Sequence, residues 1–371
     1  MNKPSLLAEM LSAAIMVFAI SYLIHHPSIN PRIYSDIVAF WTQRPDLAAG
    51  KLPYIDYPFE YPPLAGFFTY SCAVLGGGLV RYYDCMSSII FIFTLGVVFV
   101  VAKLAESREG NVFYPYLLLA PSMLLYLVYN FDIMLSFFIM LALLLHFKSR
   151  HFLAGVAIGL GMITKLMSFL LLPVLLRGIN NKSGLKMLLP ALLMPLSVNG
   201  VLAMINYDVW VRVFAHHMEW GLENSWLVNL FQDPNTWDTA KLFSLLLAGY
   251  FLLRTYMLSD VDKTIHVLLV LQVWLLTTYV YTPQMNLWLL PFYALIGPGL
   301  PLFYAFELAN AGIILTWFIA DNPTSAFSPP QIMSTLRAVM LLLLTLHIAA
   351  RANILGRRIT LLVNRVTGVA A

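Results

Sequence analysis

The chain has 371 residues, of which 60% are hydrophobic and 11% are charged, and its formal net charge is +4. A soluble domain carries roughly a quarter charged residues, so this chain lacks the polar groups to solvate a surface of its own. Its mean hydropathy of +0.79 agrees. A soluble protein is excluded, and so is a nucleic-acid-binding one, because the basic residues fall in short clusters beside apolar runs rather than in one patch.

Apolar runs recur at about 5–25, 62–80, 86–104, 112–129, 132–147, 152–176, 186–205, 239–258, 264–281, 284–298, 301–320 and 331–350. Crossing a bilayer takes a helix of about 20 residues, and the runs lack the short alternating pattern of a membrane barrel. The expectation is an all-α integral membrane protein, a polytopic bundle of about 10–12 transmembrane helices forming one domain over 1–371. The first run reads as an uncleaved signal anchor, being too long for a signal-peptide core and lacking a clear cleavage site. Lys3, the cluster Lys148, Arg150 and His151, the cluster Arg177, Lys182 and Lys186, and Arg351, Arg357 and Arg358 mark the inner face. That places both ends of 152–176 inside. Either the charge rule fails once, or this run is a re-entrant hairpin with Lys165 near its tip. The Gly76-Gly77-Gly78 break leaves a similar choice for 62–104, between a true span and a half-inserted helix. Cys72 and Cys85 suggest neither a disulfide framework nor a metal site.

Two long polar loops stand apart, at about 26–61 and 206–237, and the topology puts both outside. In the first, Ile33, Ile37, Phe40 and Trp41 have helical spacing around Asp36. A carboxylate at the membrane surface suits general-base work on a hydroxyl; the plainer alternatives are a solvated loop acid or a helix cap. Further on, Asp56, Tyr57, Glu60 and Tyr61 are stiffened by Pro53, Pro58, Pro62 and Pro63. Carboxylates and aromatic faces held rigidly suit a sugar; the alternative is a turn leading into a helix with Pro63 in its first turn. Lys165 lies inside an apolar run, where a cation costs roughly 2.5–3.5 kcal/mol to insert. It is expected to hold a phosphate, or else to snorkel to the interface. Arg32 is the second cation considered for that task. Asn130 and Asp132 divide between capping a helix and lining a cavity. The second loop offers Asp208, Arg212, His216, His217, Glu219 and Glu223 among four tryptophans. His216 and His217 are candidates for a base or phosphate partner, without metal-ligand spacing. Gln284 stands at the start of another helix as a sugar contact or a first-turn residue. No phosphate-cradling nucleotide motif is present.

The run Gly50-Lys51-Leu52-Pro53-Tyr54-Ile55-Asp56-Tyr57-Pro58-Phe59-Glu60-Tyr61-Pro62-Pro63-Leu64, after an aspartate in the first outer loop, resembles the polyprenyl-phosphate-mannose-dependent mannosyltransferases of the GT-C superfamily. The likeness is greatest to the bacterial and archaeal group that includes the mycobacterial phosphatidylinositol-mannoside enzyme. Asn130-Phe131-Asp132, Thr164-Lys165 with Pro173, and Pro283-Gln284-Met285-Asn286-Leu287-Trp288 with Pro291 fit the same pattern. The resemblance implies a GT-C-like architecture and a multi-pass prokaryotic membrane enzyme whose active site faces outward. It implies inverting transfer of a sugar, mannose by analogy, from a polyprenyl (dolichyl) phosphate to a glycan or glycolipid hydroxyl, with Asp36 as general base and no cofactor. Tyr281-Thr282 stands where the family often has a basic or histidine residue, leaving the second catalytic partner to His216 or His217. Two other classes compete: a transporter or flippase of a lipid-linked glycan, and a non-catalytic subunit of a glycosylation complex. The sequence does not determine the oligomeric state.

Overall fold

The computed structural model describes residues 5–107 and 110–355. It is 74% helical, and the described residues contain no strand. Five helices are long and apolar enough to cross a membrane, and five shorter apolar helices or helical stretches accompany them. The structure therefore agrees with an all-α membrane protein, while several apolar runs are divided instead of forming single spans. The run at 112–129 breaks into Pro115–Leu118 and Pro121–Tyr126. The run at 284–298 becomes the 3-10 turn Pro283–Trp288 and the short helix Leu290–Ile296. In each of these short helices proline stands in the first turn, where it starts a helix but cannot continue one.

The described residues group into two compact units: those up to Asn111 with Met123–Trp220, and Val112–Ser122 with those from Gly221 onward. The first unit holds α1 (Leu6–His25), α2 (Asp36–Thr42), α3 (Pro63–Gly76), α4 (Leu79–Ser107), α5 (Asp132–Phe147), α6 (His151–Met162), α7 (Asn181–Ile205) and α8 (Tyr207–Glu219). The "loop" 206–237 is thus largely helical in its first half, and the boundary between units falls within it. The C-terminal end of α1 meets the start of α4: Tyr83 Oη donates to the Tyr22 carbonyl at 2.8 Å, and the Phe18 and Phe91 rings lie 4.7 Å apart. Helix α3 ends at Gly77, whose φ of +62° is the left-handed conformation that suits glycine. The chain then turns into α4, and Cys72 and Cys85 join as a disulfide across this turn, with Cα atoms 5.4 Å apart. This corrects the expectation of no disulfide. The two cysteines stand thirteen positions apart, and one helix reversal brings them face to face.

Both ends of the 152–176 run lie at the same end of the first unit. Gly155 on α6 packs against Met187 of α7, and Gly159 packs against Pro190 and Met194, so α6 and α7 run in the same direction. The segment between them must come back. It reverses at Ile163–Lys165, where Thr164 and Lys165 both donate backbone N–H groups to the Gly161 carbonyl. It then returns as the 3-10 turn Leu166–Leu171 and the helical turn Leu172–Leu176. Ser168 Oγ donates back to the Ile158 carbonyl at 2.8 Å. The twelve-residue α6 is about 18 Å long and the return arm about 20 Å, each well short of the roughly 30 Å hydrocarbon core. Lys165 stands at the tip.

The second unit packs α9 (Trp237–Tyr256) on α10 (Lys263–Thr277), and α11 (Leu300–Trp317) on α12 (Pro329–Arg351), with α10 against α12. Its interior holds a closed ring of polar side chains. Tyr281 Oη donates to Asn286 Oδ1 at 2.5 Å, and Asn286 Nδ2 to Glu307 Oε1 at 3.0 Å. Glu307 Oε2 accepts the Ser122 N–H at 2.9 Å, and Ser122 Oγ accepts from Asn310 Nδ2 at 2.9 Å. Arg337 closes the ring, donating to Asn310 Oδ1 at 2.7 Å and to the carbonyls of Tyr281 and Asn224 at 2.5 Å, with its guanidinium 3.5 Å above the Tyr281 ring. Glu307, Asn310, Asn286 and Arg337 are fully buried. Such burial is tolerable only when the charges are compensated and hydrogen-bonded.

Candidate active site

Asp36 is the first residue of α2, whose N-terminus is capped by Ser35 Oγ accepting from Val38 N at 3.3 Å. The Ile37 N–H donates to the Tyr129 carbonyl at 3.2 Å, which docks α2 beside the start of α5. The Asp36 carboxylate is half-buried and accepts from Asn130 Nδ2 at 2.7 Å and from the Tyr34 hydroxyl. The same Asn130 amide reaches Tyr61 Oη at 3.3 Å, while Asn130 Oδ1 accepts the Phe131 N–H at 2.6 Å. One asparagine therefore orients both the acid and the tyrosine.

Removal from water pushes Asp36 up to about 7, against the opposing pull of Asn130, Tyr34 and the Lys165 charge. The Asp132 charge adds to the rise. Lys165 is committed to Asp132, with Nζ 2.8 Å from both carboxylate oxygens. The Asp132 side chain is fully buried and that of Lys165 is 10% exposed. The two charges of this pair oppose each other at Asp36, where burial is the largest influence. Asp132 is the first residue of α5 and does not cap it; the cap position is Phe131, which makes no side-chain cap bond. The capping alternative for Asp132 gives way to the ion pair. Lys165 Nζ also lies 5.4 Å from the ring centres of Tyr61 and Phe131.

Much of the proline-rich loop packs on itself. Tyr54 is fully buried, with φ of +67°, and its hydroxyl donates to the carbonyls of Tyr61 and Pro62. Phe59 is fully buried against Phe40 and Tyr54. Tyr57 is 5% exposed, so its ring is inside the loop rather than displayed to a sugar. Asp56 is exposed and accepts the Leu52 N–H at 2.7 Å, closing its own turn. Glu60 is gripped two-pronged by Arg44, whose guanidinium rests 4.9 Å from the Phe40 ring centre. Arg32 is exposed four residues before Asp36. Pro63 opens α3, and the Leu64 N–H donates to the Ile163 carbonyl at 2.7 Å, joining the loop to the hairpin tip.

Helix α8 brings in the histidines. Asn206 caps it by accepting from Val209 N and donates to the Ile55 carbonyl at 2.9 Å, so the two polar loops meet within the first unit. His216 and His217 are exposed on its last turn. His217 Nδ1 lies 2.8 Å from the Val213 carbonyl. A carbonyl only accepts, so Nδ1 carries the proton and the neutral ring presents Nε2 as an acceptor. Crowding lowers His217 below the ordinary histidine value, and the charges of His216 and Lys165 act in the same direction. A neutral imidazole suits an acceptor or base better than a phosphate-holding cation. Gln284 falls in the second unit, buried in the turn Pro283–Trp288 beside the ring residue Asn286.

The first unit thus gathers Asp36, Tyr61, Asp132 and Lys165 from three distant segments, and its charges link His217 and Glu60 to them. Tyr34 and Arg44 are additions from the structure. Tyr34 lacked a sequence signal beyond its closeness to Asp36, and Arg44 is an ordinary loop cation until Glu60 is seen beside it. Among the described residues no group of three or more metal-ligating side chains occurs. No family model, no curated protein and no solved structure matches this chain.

Proposed function

We propose that the chain is a membrane glycosyltransferase that moves a sugar, mannose by the sequence resemblance, from a polyprenyl phosphate to a hydroxyl of a glycan or glycolipid. The observation that carries this reading is Asp36: a half-buried carboxylate poised near neutrality and aimed by Asn130 and Tyr34, beside a buried lysine. An acid with that affinity for protons is matched to base catalysis at physiological pH. In the step proposed, Asp36 takes the acceptor hydroxyl proton as the acceptor oxygen bonds to the sugar's anomeric carbon from the face opposite the phosphate. The bond from that carbon to the phosphate oxygen breaks, the configuration inverts, and the electron pair leaves on the polyprenyl phosphate. Preorganised positive charge near the departing oxygen lowers the barrier. Lys165 supplies part of that field from within its pair with Asp132, and the exposed Arg32 is the second source.

The outward orientation draws support from the Cys72–Cys85 disulfide. It lies at the turn where Trp41 of α2 stacks 5.2 Å from Tyr82 of α4, the same end as Asp36. Disulfides persist in oxidising compartments and are rare in the cytosol.

The test is transfer from labelled polyprenyl-phosphate-mannose in reconstituted vesicles. D36N is expected to lose about 10²–10⁴ of the rate, the usual worth of a general base, while donor binding persists. Full activity of D36N removes the base and with it the proposal. A transporter or a non-catalytic subunit predicts that outcome.

A further inference from the structure

We propose that a groove between α1 and α4 binds a membrane lipid whose headgroup carries a primary amine. The groove has a volume of about 440 Å³, within the range of small-molecule sites. Phe18, Phe91 and Ile92 form its apolar wall, and Tyr22, Asp84 and Ser88 its polar end. Ile92 is 67% exposed, so the wall opens sideways from the helix pair. Both helices are long and apolar enough to span a membrane.

Depth argues for a lipid. Helix α4 has 29 residues and is about 43 Å long, against a hydrocarbon core of about 30 Å. Its first turns therefore reach headgroup level, and Asp84 stands in the second of them. Tyr22 lies in the last turn of α1, at the same level. The polar end of the groove matches a headgroup and the apolar wall matches a chain descending from it.

Charge argues for an amine. Asp84 is the single charged residue of the lining. Its side chain remains 44% exposed although Tyr22 Oη donates to Oδ1 at 2.7 Å and His26 Nε2 stands 3.6 Å away. A carboxylate with spare acceptor capacity favours a cation that carries N–H donors. A headgroup with phosphate as its outermost charge is repelled, and a quaternary ammonium has no N–H to donate. The inference is independent of glycosyl transfer, since neither Asp84 nor the groove takes part in the chemistry proposed above.

The experiment is native mass spectrometry of the purified chain equilibrated with equimolar phosphatidylethanolamine, phosphatidylcholine and phosphatidylglycerol. The wild type is expected to retain one phosphatidylethanolamine with at least tenfold preference. D84N is expected to bring the three lipids to parity. S88F fills the groove from an exposed position and leaves the carboxylate and its tyrosine bond in place, and it is expected to remove retention. Y22F takes away the competing donor and should keep the preference. If D84N misfolds, S88F and Y22F decide the matter. Undiminished phosphatidylethanolamine retention in a folded D84N or in S88F overturns the proposal, as does a wild-type preference for phosphatidylglycerol.

Discussion

Asp36 and Asn130 illustrate how a single amide tunes a carboxylate. The Asn130 hydrogen bond holds the Asp36 value down while burial drives it up to about 7. A base works only when unprotonated, so transfer is expected to rise with pH through about 7. In N130A that rise should move to higher pH, because the lost hydrogen bond favoured the charged form. A pH–rate profile of kcat/KM on both proteins checks this. The same raised value has a stability consequence of definite sign. The folded chain keeps the Asp36 proton to a higher pH than the unfolded chain, so this group costs stability as pH climbs from about 4 to beyond 7. D36N should therefore be more stable than the wild type at pH 8 and show little difference near pH 4, as read by thermal unfolding in detergent. Asp36 was legible from its helical neighbours Ile37 and Phe40 and from its place in the first loop. Its orienting partner Asn130 lies 94 positions away, and such long-range pairing leaves no local trace.

Among the elements, the hairpin over 151–176 depends on the tight fit of α6 on α7 and on the ion pair at its tip. Removing one partner of a buried pair leaves a charge stranded. K165M is expected to destabilise the first unit by about 3–5 kcal/mol, and K165M/D132L to recover most of that loss, measured by denaturant unfolding in micelles. At Gly155 any Cβ meets the Met187 backbone, which cannot yield as a side-chain end can. G155L should cost about 1–3 kcal/mol through overpacking in the same assay. The hairpin was legible as one of two options, because basic residues bracket an apolar run too short for two crossings. The choice between them needed the parallel course of α6 and α7, which is a matter of packing. The disulfide escaped for a related reason. Two cysteines thirteen residues apart are unremarkable until a helix reversal places them together.

At the scale of the molecule, both units carry charge inside apolar surroundings, and each answers it differently. The first unit uses a buried two-residue pair beside its candidate site. The second distributes Glu307 and Arg337 over a ring that draws on four separate segments. Lys165 stood out in the sequence because a charge in an apolar run is costly. Glu307 and Arg337 carry the same mark inside runs read simply as spans, and their partners Ser122, Asn286 and Asn310 look like ordinary polar residues. E307Q keeps the shape but replaces one acceptor oxygen with a donor, leaving a buried N–H group facing the wrong way. It is expected to lower stability by about 1–3 kcal/mol, and calorimetry in detergent would register the change.

The hairpin also bears on how the chain is made. Two arms too short to span, joined by a reversal, cannot lodge in lipid unaided, since the reversal exposes backbone that hydrocarbon will not solvate. Its flanking helices must shelter it, and α7 is synthesised after it. Membrane integration of 151–176 should therefore wait until translation has passed Ile205. A force-profile assay with an arrest peptide ought to record a late pull there rather than one as Lys165 emerges from the ribosome.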